Sequence, residues 1–409
     1  MLKCGLIGNP LGHSYSPMIH SLLSKEYTYD LFELKEDELE SFIRAGDFDG
    51  VNVTIPYKVK IMDYLDIVSD NAKRIGSVNT VVRKNGKLYG YNTDYYGFET
   101  LLVKSGVDIS NKKVLVLGSG GASRTVKTVL EDKGAGEIIT VSRSGENNYS
   151  NIAVHSDCKI LVNTTPVGMY PDSYSSPVDL SVFEKLECVI DIIFNPSKTS
   201  LMLNAEEKAI KAFGGLTMLV AQAKAASDLF TGRNGNDFAV DRIEKKISKR
   251  MKNIILIGMP GVGKSTIGRF LSERTGRPFY DIDSEIAKEE GRSIPEIFKN
   301  DGEEYFRKIE TDILLKHAKK SGVIISPGGG AVLSQKNRDA MRQNGTIIFL
   351  TKDLEKLSRR GRPISMSRPI EDIYNERLPI YRELADMTFE LLETPYRSTN
   401  ALIKKMEML

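Results

Sequence analysis

The sequence has little cysteine, no long apolar run and no excess of one charge, and each absence removes a class of protein. Its three cysteines, Cys4, Cys158 and Cys188, are far apart and form no CxxC pair. Neither a structural zinc site nor a disulfide framework follows from them. Cys4 and Cys188 lie in apolar runs, where a buried free thiol is the expectation. No run of about 18 apolar residues is present to span a bilayer, and no secretory leader is read at the start. The expected location is the cytoplasm. Basic residues number 57 against 54 acidic ones, a formal charge of +3. They are spread along the chain, so no nucleic-acid footprint is read. The basic cluster at residues 242–252 reads as a solvated helix end running into a linker.

What is present is alternation. Short apolar runs separated by helical patterns mark an α/β architecture with parallel sheets. Strands are expected at residues 2–7, 50–55, 114–117, 138–141, 160–163 and 189–193. The pattern restarts at 254–257 and continues at 278–282, 323–326 and 346–350. Met251-Lys252-Asn253 resembles a former N-terminus, so a boundary is expected near residue 250. At 409 residues, the chain is long enough for two or three domains. No internal repeat or low-complexity segment is read.

In the first part, the run 114–117 leads into Gly118-Ser119-Gly120-Gly121-Ala122. Glycines directly after a buried strand allow a tight turn and bring backbone N–H groups to a pyrophosphate at a helix N-terminus. After the next strand the chain has Ser142-Arg143-Ser144, where an acidic residue would hold the free ribose of NAD. A cation flanked by hydroxyls suits a 2′-phosphate, so NADP is favoured. Polar residues also gather at segment ends nearer the start: the loop from His13 to Pro17 with Ser14 and Ser16, the run Asn52-Val53-Thr54-Ile55-Pro56-Tyr57-Lys58, then Asn79, and Asp94. Read alone, Ser16 is an N-cap, Lys58 a lysine opening a helix, and Asp94 an N-cap.

In their order these segments resemble shikimate dehydrogenase over residues 1–245. The resemblance implies a substrate carboxylate held by Ser14 and Ser16, further substrate contacts from Thr54, Asn79 and Gln222, and a catalytic pair, Lys58 and Asp94. Cofactor contacts are implied for Gly118, Ser119, Gly120, Gly121, Ala122, Ser142, Arg143, Ser144 and Gly215. A carbonyl that accepts hydride becomes an alkoxide, and Lys58 can supply its proton. Two departures stand out. The family's second tyrosine in its YDxxYxP segment is Phe194 here, and the loop after Arg143 adds no further basic residue.

In the second part, Gly258-Met259-Pro260-Gly261-Val262-Gly263-Lys264-Ser265-Thr266 follows an apolar run and opens a helix. This is a complete P-loop: backbone amides cradle phosphates, Lys264 reaches the β- and γ-phosphates, and Ser265 ligates Mg²⁺. With Asp281, Asp283, Arg307, Ser326-Pro327-Gly328-Gly329-Gly330, Arg362 and Arg377, it resembles shikimate kinase over residues 252–409. The resemblance implies Mg²⁺ held by Ser265 and, through water, by Asp281. It has Asp283 orient the acceptor hydroxyl, Arg307 and Arg377 clamp a carboxylate, and Gly329 and Gly330 offer backbone amides. Arg362 would reach the transferring phosphate from a short lid, with Arg359 or Arg360 near the adenine. Gly261, Val262, Gly263 and Thr266 complete the nucleotide contacts.

The expected fold is thus a two-lobed α/β dehydrogenase with a Rossmann-like NADP domain, followed by a P-loop α/β domain resembling nucleoside-monophosphate kinases. A substrate lobe spans 1–100 and is completed by 217–245; the NADP domain spans 101–216, a linker 246–251, and the kinase 252–409. Each half is expected to fold alone. The expected function is reduction of 3-dehydroshikimate with NADPH, followed by phosphorylation of shikimate from MgATP. Partners are small-molecule substrates, with no nucleic acid and no membrane. Alternatives are a quinate-type NAD dehydrogenase in the first half, or a non-catalytic sensor derived from pathway enzymes.

Overall fold

A computed structural model describes residues 1–12, 14–233, 238–357 and 369–407. Three sheets carry the chain. The first contains β1 (Leu2–Gly8), β2 (Tyr27–Glu33), β3 (Gly50–Val53), β4 (Ile67–Val68), β5 (Thr80–Lys84) and β6 (Lys87–Tyr91), in the order β2-β1-β3-β5-β6-β4. β1 runs parallel to β2 and β3, whereas β5 is antiparallel to both β3 and β6. The β5–β6 hairpin turns on Asn85-Gly86, both with positive φ. That is the pair a two-residue type I′ turn selects, and this hairpin was not among the expected strands.

The second sheet contains β7 (Lys113–Leu117), β8 (Glu137–Val141), β9 (Ile160–Asn163), β10 (Cys188–Asp191) and β11 (Lys211–Phe213), all parallel in the order β11-β10-β9-β7-β8. Strands buried on both faces read as unbroken apolar runs; Val114, Leu115, Val116 and Leu117 are all fully buried. The chain leaves β7 for β8 on one side and returns to β9 on the other. The glycine turn after β7 therefore sits where strand order reverses, which is where open α/β sheets bind ligands.

The third sheet contains β12 (Asn253–Ile257), β13 (Phe279–Asp281), β14 (Ile324–Ser326), β15 (Gly345–Thr351) and β16 (Met387–Glu390), in the order β13-β14-β12-β15-β16. β12 has β14 on one side and β15 on the other, so the loop after it again marks a switch point. All three cysteines are buried and unpaired. Burial pushes each thiol up to about 12, which leaves them protonated and unreactive. Among the described residues, no helix is long and apolar enough to cross a membrane.

The chain forms two compact units, one of residues 1–169, 175–194 and 204–248, the other of 170–174, 195–203 and 249–409. Residues 246–251, expected as a linker, are the last turns of the helix Phe238–Met251. Within the second unit, the buried Gln343 holds the early segments. Its Oε1 accepts from Ser173 Oγ at 2.8 Å, and its Nε2 donates to the Ser173 carbonyl at 2.6 Å. Its backbone carbonyl accepts from Ser197 Oγ and from the Lys198 amide, each at 2.8 Å. A fragment starting at Met251 would lack these partners.

Asn253, at the head of β12, is a second buried anchor, 1% exposed. Its Nδ2 donates to the carbonyls of Ala318 and Lys320 at 3.1 and 2.7 Å, and its Oδ1 accepts from the Val323 amide at 3.0 Å. Removing the side chain strands buried backbone groups, at about 1–3 kcal/mol for each group left unsatisfied. Asn253→Ala should therefore destabilise the second unit by roughly 2–4 kcal/mol. Urea unfolding followed by loss of phosphotransfer checks this; a midpoint equal to the parent's would contradict it.

Candidate active sites

In the first unit, a cavity of about 380 Å³ opens beside the C-terminal ends of β1 and β3. Ser14, Ser16, Thr54, Lys58, Asn79, Asp94 and Gln222 all line it, from segments far apart in the sequence. Ala122 and Gly215, expected at the cofactor, line the same cavity. The pair at its centre is Lys58 Nζ to Asp94 Oδ2, 2.6 Å, with the two side chains 29% and 16% exposed. That leaves the ammonium reachable by a small molecule while the carboxylate fixes its direction.

Local structure explains these positions, with three adjustments to the sequence reading. Ser16 is the first residue of the helix Ser16–Leu23 rather than its cap. Lys58 lies in a turn ahead of the 3₁₀ segment Lys60–Tyr64, not in an α-helix. Asp94 stands in the first turn of the helix Thr93–Ser105, and the cap is Asn92, whose side chain accepts from the Tyr95 amide. A carboxylate in a first turn is favoured by the helix dipole.

Beneath the cavity runs a buried polar layer. Asn79 Oδ1 accepts from the Thr93 amide at 2.6 Å and from Thr93 Oγ1 at 3.2 Å, which orients its amide group. Asn52, which the sequence reading did not select, also lines the cavity. It accepts from Tyr29 at 2.8 Å and donates to Thr80 Oγ1 at 3.0 Å. Its signal was available, because it sits two residues before Thr54 and so on the same strand face. Phe194 lines the cavity as well, its ring edge-on to Tyr15 at 5.8 Å and 87°.

The cofactor elements fit a dinucleotide. The helix Gly121–Asp132 begins at Gly120 with no side-chain cap, and a Cβ on either glycine would meet open space. Its first amides are thus available to a pyrophosphate. Gly118 and Ser119 form the turn leading there, and Ser142, Arg143 and Ser144 follow β8, with Arg143 exposed. Gly215 admits no larger residue, since a Cβ there would approach the Ile192 carbonyl oxygen to 1.9 Å.

In the second unit, the helix Lys264–Thr275 likewise starts without a side-chain cap, directly after Gly263, and carries Ser265 and Thr266 in its first turn. Lys264 is nearly buried, with Nζ 3.0 Å from the Gly258 carbonyl and 3.3 Å from that of Met259. Gly261 and Val262 complete the loop. Asp281 ends β13 and caps the next helix by accepting from the Ser284 amide, while Asp283 follows in that helix's first turn. A Cβ on Gly328 would lie 3.1 Å from Asp283 Oδ1, and one on Gly330 would lie 2.5 Å from Arg307 Nη2. Asp283, Arg307, Gly329 and Gly330 therefore converge. Arg377, 3% exposed, joins them through its charge interaction with Glu310.

Glu310 is the residue here that the sequence reading missed. It is 1% exposed, and its Oε2 accepts from Arg307 Nη1 at 2.7 Å. Burial raises its carboxyl above the usual range, while Arg307 acts in the opposite direction. The signal was its place three residues after Arg307 on one helix. Arg362, with Arg359 and Arg360, lies outside the described residues.

The two sites define a class: a dinucleotide-dependent oxidoreductase joined to a P-loop phosphotransferase. The family model for the shikimate dehydrogenase substrate binding domain matches residues 6–81, and that for shikimate kinase matches residues 260–407. Shikimate dehydrogenase (NADP(+)) of Clostridium perfringens strain 13 is 41% identical over 248 residues, 56% of this chain and 92% of that protein. Its counterpart in Clostridium beijerinckii is 42% identical over 244 residues, 55% of this chain and 90% of the relative. Among solved structures, a chorismate mutase/shikimate 5-dehydrogenase fusion protein from Clostridium acetobutylicum superposes with TM-score 0.59 at 36% identity, covering 61% of this chain and 98% of that one. Shikimate 5-dehydrogenase from Thermus thermophilus, solved with NADP(H) and shikimate, gives 0.56 at 30% identity over 60% and 99%. The chain belongs to the shikimate dehydrogenase family and carries a shikimate kinase domain after it.

The Phe194 departure generates a graded test. One neutral hydrogen bond contributes about 0.5–1.5 kcal/mol net. Phe194→Tyr should thus lower KM for the dehydrogenase substrate by roughly two- to tenfold, as steady-state kinetics would show. A raised KM would mean that the Tyr15–Phe194 contact has reshaped the pocket around phenylalanine.

Proposed function

We propose that the first unit reduces 3-dehydroshikimate to shikimate and that the second phosphorylates shikimate to shikimate 3-phosphate. The observation that carries the reading is the 2.6 Å Lys58–Asp94 pair set in a cavity with the remaining expected substrate residues. NADPH supplies the hydride when bound beside Ala122 and Gly215. Ser14 and Ser16 receive the substrate carboxylate, and Thr54, Asn79 and Gln222 its hydroxyls. The ketone oxygen gains negative charge as hydride reaches its carbon, and the Lys58 ammonium gives it a proton. Asp94 holds the Lys58 nitrogen in place while that proton moves. Arg143 would hold the 2′-phosphate, and the lack of an acid directly after β8 favours NADP.

In the second unit, ATP supplies the phosphoryl group. Lys264 and the uncapped helix start would neutralise its phosphates, and Ser265, with Asp281 acting through water, would hold Mg²⁺, whose charge offsets that of the phosphates. Arg307 and Arg377 fix the acceptor carboxylate, and Glu310 holds Arg307 in position. Asp283 orients the attacking hydroxyl and takes its proton. The partners this assigns are small molecules.

Two single variants separate the activities. Lys58→Met should abolish NADPH oxidation and leave phosphorylation of added shikimate intact. Lys264→Ala should do the converse. Spectrophotometric dehydrogenase assays and product detection for the kinase measure both; loss of both activities in either folded variant would contradict two independent sites.

A further inference from the structure

Tyr381 stands between the two loops of the kinase site. It lies on the helix Ile370–Leu384, is fully buried, and stacks on Phe349 of β15 with ring centroids 5.0 Å apart. Its hydroxyl is 2.6 Å from the carbonyl oxygen of Gly329 and 3.1 Å from that of Gly258. Gly258 is the first residue of the nucleotide loop, and Gly329 belongs to the acceptor loop. Burial pushes the phenol up to about 12, so it stays a protonated donor across the working pH range. Arg377, a clamp for the acceptor, also interacts with this hydroxyl through its charge.

A phenol carries one proton, so it can donate to one carbonyl at a time. The shorter contact assigns that proton to Gly329. The Gly258 carbonyl meanwhile has a second donor in Lys264 Nζ at 3.0 Å. Phosphates entering the loop draw this ammonium toward themselves, and the Gly258 carbonyl then loses a partner in a buried place. A buried carbonyl left unpaired is costly, and the Tyr381 hydroxyl is already within reach.

We propose that Tyr381 is a positioning residue that couples the nucleotide loop to the acceptor loop by moving its single hydrogen bond between Gly329 and Gly258. Nucleotide binding shifts the proton toward Gly258 and releases the Gly329 peptide to meet the acceptor. Coupling of this kind is reciprocal, so the acceptor must tighten nucleotide binding by the same factor.

The test rests on shikimate being the acceptor, which phosphorylation of shikimate by the parent chain establishes separately. Calorimetry on the full chain gives the affinity for AMP-PNP with Mg²⁺, alone and with saturating shikimate. In the parent, shikimate should tighten AMP-PNP by at least about fivefold; in Tyr381→Phe the ratio should fall close to one. Melting temperature and dehydrogenase turnover of the same sample report whether the variant is folded. A ratio near one in the parent, or an undiminished ratio in the variant, would overturn the proposal. A second measurement needs no variant. In the parent, amide exchange across residues 328–331 should change when AMP-PNP is added without shikimate, and an unchanged loop would overturn the proposal equally.

Discussion

Helix starts that lack a side-chain cap, placed directly after a buried parallel strand, are the constraint on which both sites depend. A helix leaves its first amides without partners, and a parallel sheet points those helix starts to one edge. At Gly120 and at Gly263 no side chain closes the helix, so an anionic ligand can take the amides instead. Each helix follows the strand at which its sheet reverses order, β7 in one unit and β12 in the other. The same arrangement thus suits a dinucleotide in the first unit and a nucleoside triphosphate in the second. The chemistry differs because different side chains stand opposite.

Those side chains are themselves held from behind. Lys58 is fixed by Asp94, and Asn79 by the Thr93 amide and hydroxyl. Arg307 is fixed by Glu310, whose burial would be costly without that cation. A charged or amide group pinned on one side presents its remaining donors in one direction only. This lets segments far apart in sequence act on a single small molecule.

The parts of this arrangement legible in the sequence were those with a short-range signature. β7 and β12 are continuous apolar runs because both faces are covered, and each is followed by a glycine turn whose spacing is itself informative. β2, with its mixture of tyrosines and charges, was not read, because an exposed edge strand carries no unbroken apolar pattern. The β5–β6 hairpin was missed although Asn85-Gly86 announces it. Residues 246–251 look like a charged linker but are helical, since charges on one face of a helix leave its other face free to be buried: Ile243 and Ile247 are buried. Asn52, Glu310 and Tyr381 were given no role for a different reason. Their work is to orient other groups through the third dimension; spacing sets Asn52 on one face with Thr54 and Glu310 one helix turn from Arg307, but does not say what they orient.

The central claim is that one chain carries two complete and consecutive sites. It is tested most directly by incubating the full chain with 3-dehydroshikimate, NADPH, ATP and Mg²⁺ and following every species by mass spectrometry. The account predicts one shikimate 3-phosphate for each NADPH oxidised, and accumulation of shikimate when ATP is left out. NADPH oxidation without any phosphorylated product in the complete mixture, or no oxidation at all, would contradict it.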